Sequence, residues 1–259
     1  MKKEMNLASR IWEIVYPVLM YYATLSIASY IAQMIFGTGD EQYMLCKTIG
    51  SIVAIPVVFT DYKNDLMLTG RYGQKGDRVK TGWIIEMLAI TFCLSVALNN
   101  ILCMSPLVQM SEEFQDASNA FYGSTIGIEL VGSALVTPLL EELLHRGVVY
   151  GRLRRRMGMW SSVILSALIF AILHFNIVQF IYAFLLGIVF ALFVEKTGKL
   201  YPAVLAHILA NGVAVIRTET GFLQNTVDGS AVAWIYSIVH LVVGILGVIL
   251  MWKNYREEK

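Results

Sequence analysis

Charge is scarce in this sequence. Of its 259 residues only 15% are Asp, Glu, Lys or Arg, while 57% are hydrophobic and mean hydropathy is +0.63. Soluble domains carry about 25% charged residues, so the shortage excludes an ordinary cytosolic globule. There is no excess of one sign either: 20 basic against 19 acidic residues leave a formal charge of +1. That balance excludes a basic nucleic-acid binder, and so little charge argues against a disordered chain. Cysteine is rare as well. Cys46, Cys93 and Cys103 each sit in an apolar run and form no disulfide framework. Internal repeats, low-complexity tracts and a second domain are all missing, so residues 1–259 read as a single integral-membrane domain.

What the sequence does have is long hydrophobic runs. A helix needs about 20 mostly apolar residues to cross the hydrocarbon of a bilayer. Eight segments qualify as candidates: 11–36, 43–60, 83–104, 125–150, 160–175, 177–194, 200–217 and 231–252. The expected fold class is therefore all-α, a polytopic helical bundle of about eight transmembrane helices. The first run is too long for a signal-peptide core and is read as a retained span. The short fifth meets the sixth at His174-Phe175-Asn176, where a hairpin or a kinked pair would fit.

The loops orient these spans. Every Lys and Arg except Lys47, Arg146 and Arg217 falls in 1–10, 61–82, 151–159, 195–199 or 253–259. The alternate loops carry Asp40, Glu41, Glu112, Glu113, Asp116, Glu219 and Asp228 instead. Basic loops stay cytoplasmic, which predicts eight crossings with both termini cytoplasmic. Small size and the lack of extra domains suggest a prokaryotic plasma membrane.

Ionisable residues inside spans cost about 2.5–3.5 kcal/mol each on insertion scales and mark function by default. Glu13, Glu129 and Arg217 lie near span ends, where snorkelling suffices. Lys47 and Glu86 could pair with each other or with solvent, and His240 reads as a neutral, hydrogen-bonded histidine. The cluster Glu141-Glu142-Leu143-Leu144-His145-Arg146 is different. Glu142 and Arg146 share a helix face in the favourable Glu-to-Arg order. Glu141, turned about 100° away, is free to face a cavity, where burial would suit a carboxyl to general-base work. A single structural network with Arg152–Arg156 is the bland alternative.

Two further helices carry matching pairs one turn apart, Phe170 with His174 and His207 with Asn211. Helix rise puts Glu141, His207 and His174 at overlapping depths of about 10–21 Å from the basic ends. Three helices can thus converge on one polar pocket, and the proximity of the motifs to the basic loops predicts a cavity opening on that side.

The three motifs Glu141-Glu142-x-x-x-Arg146, Phe170-x-x-x-His174 and His207-x-x-x-Asn211, in this order on separate helices, resemble those of the CPBP intramembrane protease family. That family, also called Abi, includes the type II CAAX prenyl endopeptidases and bacteriocin-processing or immunity proteins. The resemblance covers roughly 125–215, a catalytic core of helices; residues 1–124 match only as generic spans. It implies peptide-bond hydrolysis by activated water, with Glu141 and His174 polarising the water and His207 and Asn211 stabilising the oxyanion. Glu142, Arg146 and Phe170 would support the site. No Ser or Cys is placed with a His partner in these motifs, which argues against a nucleophile triad.

The expected partners are a peptide or protein substrate at the membrane and the lipid bilayer, with no nucleic acid. No cofactor is expected. A zinc site would use Glu141, His174 and His207, but there is no HExxH and Asn211 is a poor zinc ligand. Two other readings compete: a non-catalytic partner or immunity protein that regulates a sensor or exporter, and a proton relay. A transporter would be supported by inverted repeats, which the sequence does not show.

Overall fold

The computed structural model describes residues 6–71 and 77–257. Lys2, Lys3, Lys75 and Lys259 of the basic segments lie outside the described residues. Ten helices are described: α1 Leu7–Phe36, α2 Asp40–Leu68, α3 Thr81–Met104, α4 Leu107–Met110, α5 Glu112–Phe121, α6 Ile126–Arg154, α7 Met159–Ile172, α8 Ile177–Thr197, α9 Tyr201–Thr220 and α10 Ala231–Glu257. No strand occurs among the described residues. This is an all-helical membrane bundle.

Each of the eight apolar segments forms a helix. By length and apolarity, α1, α2, α3, α8 and α10 can each cross a membrane unaided, and α5 with α6 makes a further candidate pair bent by 109°. The 14 residues of α7 reach only about 21 Å at 1.5 Å per residue. Helix α9 carries His207, Asn211 and Arg217 among its apolar residues.

The helices associate in a definite order. Helices α1 and α2 pack on each other at one flank, α3 and α10 at the other, and α6 to α9 lie between them. Only 17% of the apolar windows of α1 and α10 is buried, against 50% in α3 and α8. Ile27, Val242 and Leu250 on these outer helices are exposed, as residues facing lipid should be. Two cores result. One joins α3, α8, α9 and α10 around Leu94, Phe190 and Phe193. The other joins α1, α2 and α6 around Tyr21, Leu144 and Val148.

Helices α7 and α8 form the hairpin. Asn176 caps α8 by accepting the Gln179 N–H at 2.8 Å, and Phe175 takes φ +58° to make the reversal. An irregular turn among apolar helices must satisfy its own carbonyls. Here Tyr22 Oη donates to the Leu173 carbonyl and Asn176 Nδ2 to that of His174, each at 3.1 Å.

Helix α6 is continuous but widens twice, over Leu130–Val136 and Leu143–Val149, where backbone bonds run five residues apart. Such wide turns are frequent at functional sites. The first has a covalent cause. Thr137 N–H reaches back to the Gly132 carbonyl, so the next bond in that register would need an N–H from Pro138, which has none. The carbonyl left over, on Ser133, accepts Asn211 Nδ2 at 2.9 Å.

The basic end is laced together by ion pairs. Arg152 binds Asp61 and Asp65 at 2.9 and 2.7 Å, Arg155 joins Asp65 at 3.1 Å, and Arg154 binds Glu195 at 3.0 Å. Glu13 pairs with Arg156, so it is anchored rather than snorkelling. Arg217 at the other end donates to Asn100 Oδ1 at 2.5 Å. Glu129 also departs from the sequence reading: it is fully buried, and neither carboxylate oxygen has a partner among the described residues.

Candidate active site

The i, i+4 spacing of Glu142 and Arg146 produces the ion pair it predicts. Arg146 Nη1 lies 2.9 Å from Glu142 Oε1 with both side chains at 0% exposure. The guanidinium also donates to the Gly187 carbonyl at 3.1 Å and stands 4.5 Å above the Phe170 ring. Its neighbours explain why α8 has glycine at 187: a Cβ there would meet Arg146 Nη2 at 3.0 Å. Glu142 has a second partner on α9, because His207 Nδ1 approaches the same oxygen at 2.8 Å. The Arg152–Arg156 cluster pairs with other acids, so the bland reading of one merged network does not hold.

Glu141, one residue earlier, points elsewhere. Its carboxylate lines a cavity of about 520 Å³ together with His174, His207 and Asn211. His207 Nε2 lies 3.7 Å from Glu141 Oε2, too far for a direct hydrogen bond. The four residues that the sequence nominated for chemistry, drawn from three separate motifs, therefore share one space. Asn211 Nδ2 spends one N–H on Ser133; a primary amide has two, so the second remains for a ligand.

Phe170 is the hub of this arrangement. Its ring centroid lies 4.9 Å from those of His145 and His174 and 5.8 Å from that of His207. On its other side His207 stacks on Phe190 at 5.2 Å. The imidazoles are further fixed through Nδ1, which in His145 meets the Glu141 carbonyl at 2.9 Å and in His174 the Phe170 carbonyl at 3.0 Å. With Nδ1 protonated against a carbonyl, Nε2 carries the lone pair.

Two cavity residues had no assigned part in the sequence reading. His145 lines the space, and its buried Nε2 has no partner among the described residues. Its position four residues after Glu141 was the available signal. Lys47 lines the same space with Nζ 3.8 Å above the Phe121 ring. It lies near the start of α2, whereas Glu86 lies near the start of α3 at the basic end, so these two do not pair. His240 is a packed histidine, with Nδ1 2.9 Å from the Tyr236 carbonyl.

The cavity does not open on the basic side as expected. Beyond the motifs it is lined by Ser29 and Gln33 of α1, Tyr43 of α2, Cys103 of α3 and Phe114 and Phe121 of α5, all towards the acidic end. It meets the surface where Cys103 and Phe175 are exposed. The reason is packing. Leu140, Leu144, Val148 and the Glu142–Arg146 pair, all fully buried, fill the space between the motifs and the basic end.

The donor set for a metal ion is not assembled. Among the described residues, no three His, Cys, Asp or Glu side chains are placed to hold one. Glu141, His174 and His207 share a cavity without converging on a point.

Residues 124–213 match the family model described as type II CAAX prenyl endopeptidase Rce1-like. YdiL of Bacillus subtilis (strain 168), named as a proposed membrane peptidase, is 25% identical over 91 residues. That stretch is 35% of this chain and 37% of the relative, so the match spans little more than a third of either. No solved structure matches. Both matches carry peptidase names, and all three motifs lie within 124–213. Over that segment, about a third of its length, this integral membrane protein is similar to the CPBP, or CAAX protease, family.

Proposed function

We propose that the protein is an intramembrane endopeptidase that hydrolyses amphipathic, lipidated or membrane-tethered peptides with water as nucleophile. The observation that carries this reading is one cavity holding Glu141, His174, His207 and Asn211, with the Glu142–Arg146 pair sealed behind it. A carboxylate on the wall of a low-dielectric cavity can take a proton from water as that water attacks a peptide carbonyl. His174 Nε2, with its lone pair forward, orients the water. The oxyanion receives the free N–H of Asn211 and a proton on His207 Nε2, the imidazolium being stabilised by Glu142 at Nδ1. Glu141 then returns its proton to the leaving amine, so protons balance and no covalent enzyme intermediate forms. Such preorganised donors are worth several kcal/mol.

The reaction is proposed to proceed without metal. With the basic end cytoplasmic, the peptide reaches Glu141 from the opposite side of the membrane. The test is cleavage of a mixed library of quenched amphipathic and lipidated peptides by detergent-purified protein. Wild type is expected to cleave, and Glu141→Gln to lose cleavage while keeping its fold. Equal cleavage by the two would overturn the reading.

A further inference from the structure

Lys47 is a cation without an anion. Its Nζ lies over Phe121, and among the described residues no carboxylate is within ion-pair distance of it. Phe121 is in turn held edge-on by Tyr43, with ring centroids 5.8 Å apart, so α5 and α2 together fix where the ammonium stands. The charge faces the same cavity as Glu141 and is near enough to interact electrostatically with both Glu141 and His174. A lysine within a span, unpaired and aimed at a reactive site, calls for a ligand of opposite charge. Lys47 also lies outside the segment 124–213 that the family model matches, in this chain's first half.

The rest of the wall says what kind of ligand. Tyr22, Ser29 and Gln33 of α1 line the path between the surface and Glu141, and Ser29 Oγ is buried without a partner among the described residues. The Gln33 amide suits a peptide backbone, whereas an acyl chain would leave it unpaired. We propose that Lys47 binds a carboxylate of the peptide substrate and so sets which bond reaches Glu141. The carboxylate can come from the chain's C-terminus or from an Asp or Glu side chain. The inference rests on the peptidase reading for its substrate class.

Binding tests it separately from catalysis. Fluorescently labelled amphipathic peptides are titrated onto Glu141→Gln protein in neutral-lipid nanodiscs, in three versions: unmodified, C-terminally amidated, and with Asp and Glu changed to Asn and Gln. The unmodified peptides are expected to bind at least about tenfold tighter than one of the two neutralised sets, and which set weakens identifies the source. Lys47→Met should erase the difference and Lys47→Arg should keep it. Equal binding of all three versions, or a difference that survives Lys47→Met, overturns the inference. So does displacement of Lys47-dependent binding by anionic phospholipid with no effect of peptide carboxylates. Failure of wild-type cleavage with a Lys47-dependent carboxylate preference would instead strike the peptidase reading alone.

Discussion

Replacing Arg146 by Met keeps the length of the side chain and most of its volume but removes the charge. The structure sets the size of the effect. Arg146 is 1% exposed and Glu142 0%, so no water can take over the guanidinium's place beside the carboxylate. Removing one partner from a buried pair leaves an uncompensated charge and costs about 3–5 kcal/mol. The double variant Glu142→Leu/Arg146→Met removes both charges and should recover most of that loss, because apolar replacement of a whole buried pair is often near neutral. A coupling of at least about 3 kcal/mol between the two positions is expected. Activity should part company from stability. In the double variant His207 has lost the acceptor at Nδ1, and hydrolysis should stay about 10²-fold below wild type, the scale of losing one oxyanion donor. The assay is reversible unfolding in mixed micelles alongside peptide hydrolysis. An Arg146→Met cost below about 1 kcal/mol, or a double variant no more stable than the single, would refute the reasoning.

Three further outcomes are expected. Asn211→Leu should lower kcat by about 10²–10³ with little change in KM; an unchanged kcat would remove Asn211 from the oxyanion role. Gly132→Ala would bring a Cβ to 2.1 Å from Thr48 Oγ1 and 2.9 Å from Met44 Sδ, prising α6 off α2 at a cost of about 1–3 kcal/mol. Gly127→Ala, with nothing within 4 Å of its Cβ, is the control in the same unfolding assay. Dialysis against EDTA should leave hydrolysis intact, and loss of activity restored by Zn²⁺ would overturn the metal-free mechanism.

Much of the site is legible in the sequence because it is written in short-range periodicity. Spacings of four residues put Glu142 on Arg146, Phe170 on His174 and His207 beside Asn211, and helix geometry carries those relations into the structure. The His174–Asn176 break likewise identifies the α7–α8 turn, since Asn is a strong helix cap. What the sequence does not disclose depends on contacts between distant segments. The face on which the cavity opens is decided by Leu140, Leu144 and Val148 packing against α1 and α2, and no local pattern reports that. Lys47 finds Phe121 only because α5 folds back on α2. Glu129 sits at a helix start where exposure would be ordinary, yet tertiary packing buries it completely.

Tyr22 supplies the one hydrogen bond described between α1 and the turn that ends α7. Helix α1 also packs along α2 and on α6 around Tyr21, and is held through Arg152 and Arg156 at its basic end. Were that hydroxyl released and the upper half of α1 to part from Leu173, the cavity would open sideways into the hydrocarbon. A peptide lying in the membrane interface could enter without crossing bulk water. For such a substrate the governing quantity would be its partition into the bilayer, and two peptides of identical sequence around the cut bond would differ in turnover according to how strongly the remainder of each clings to lipid.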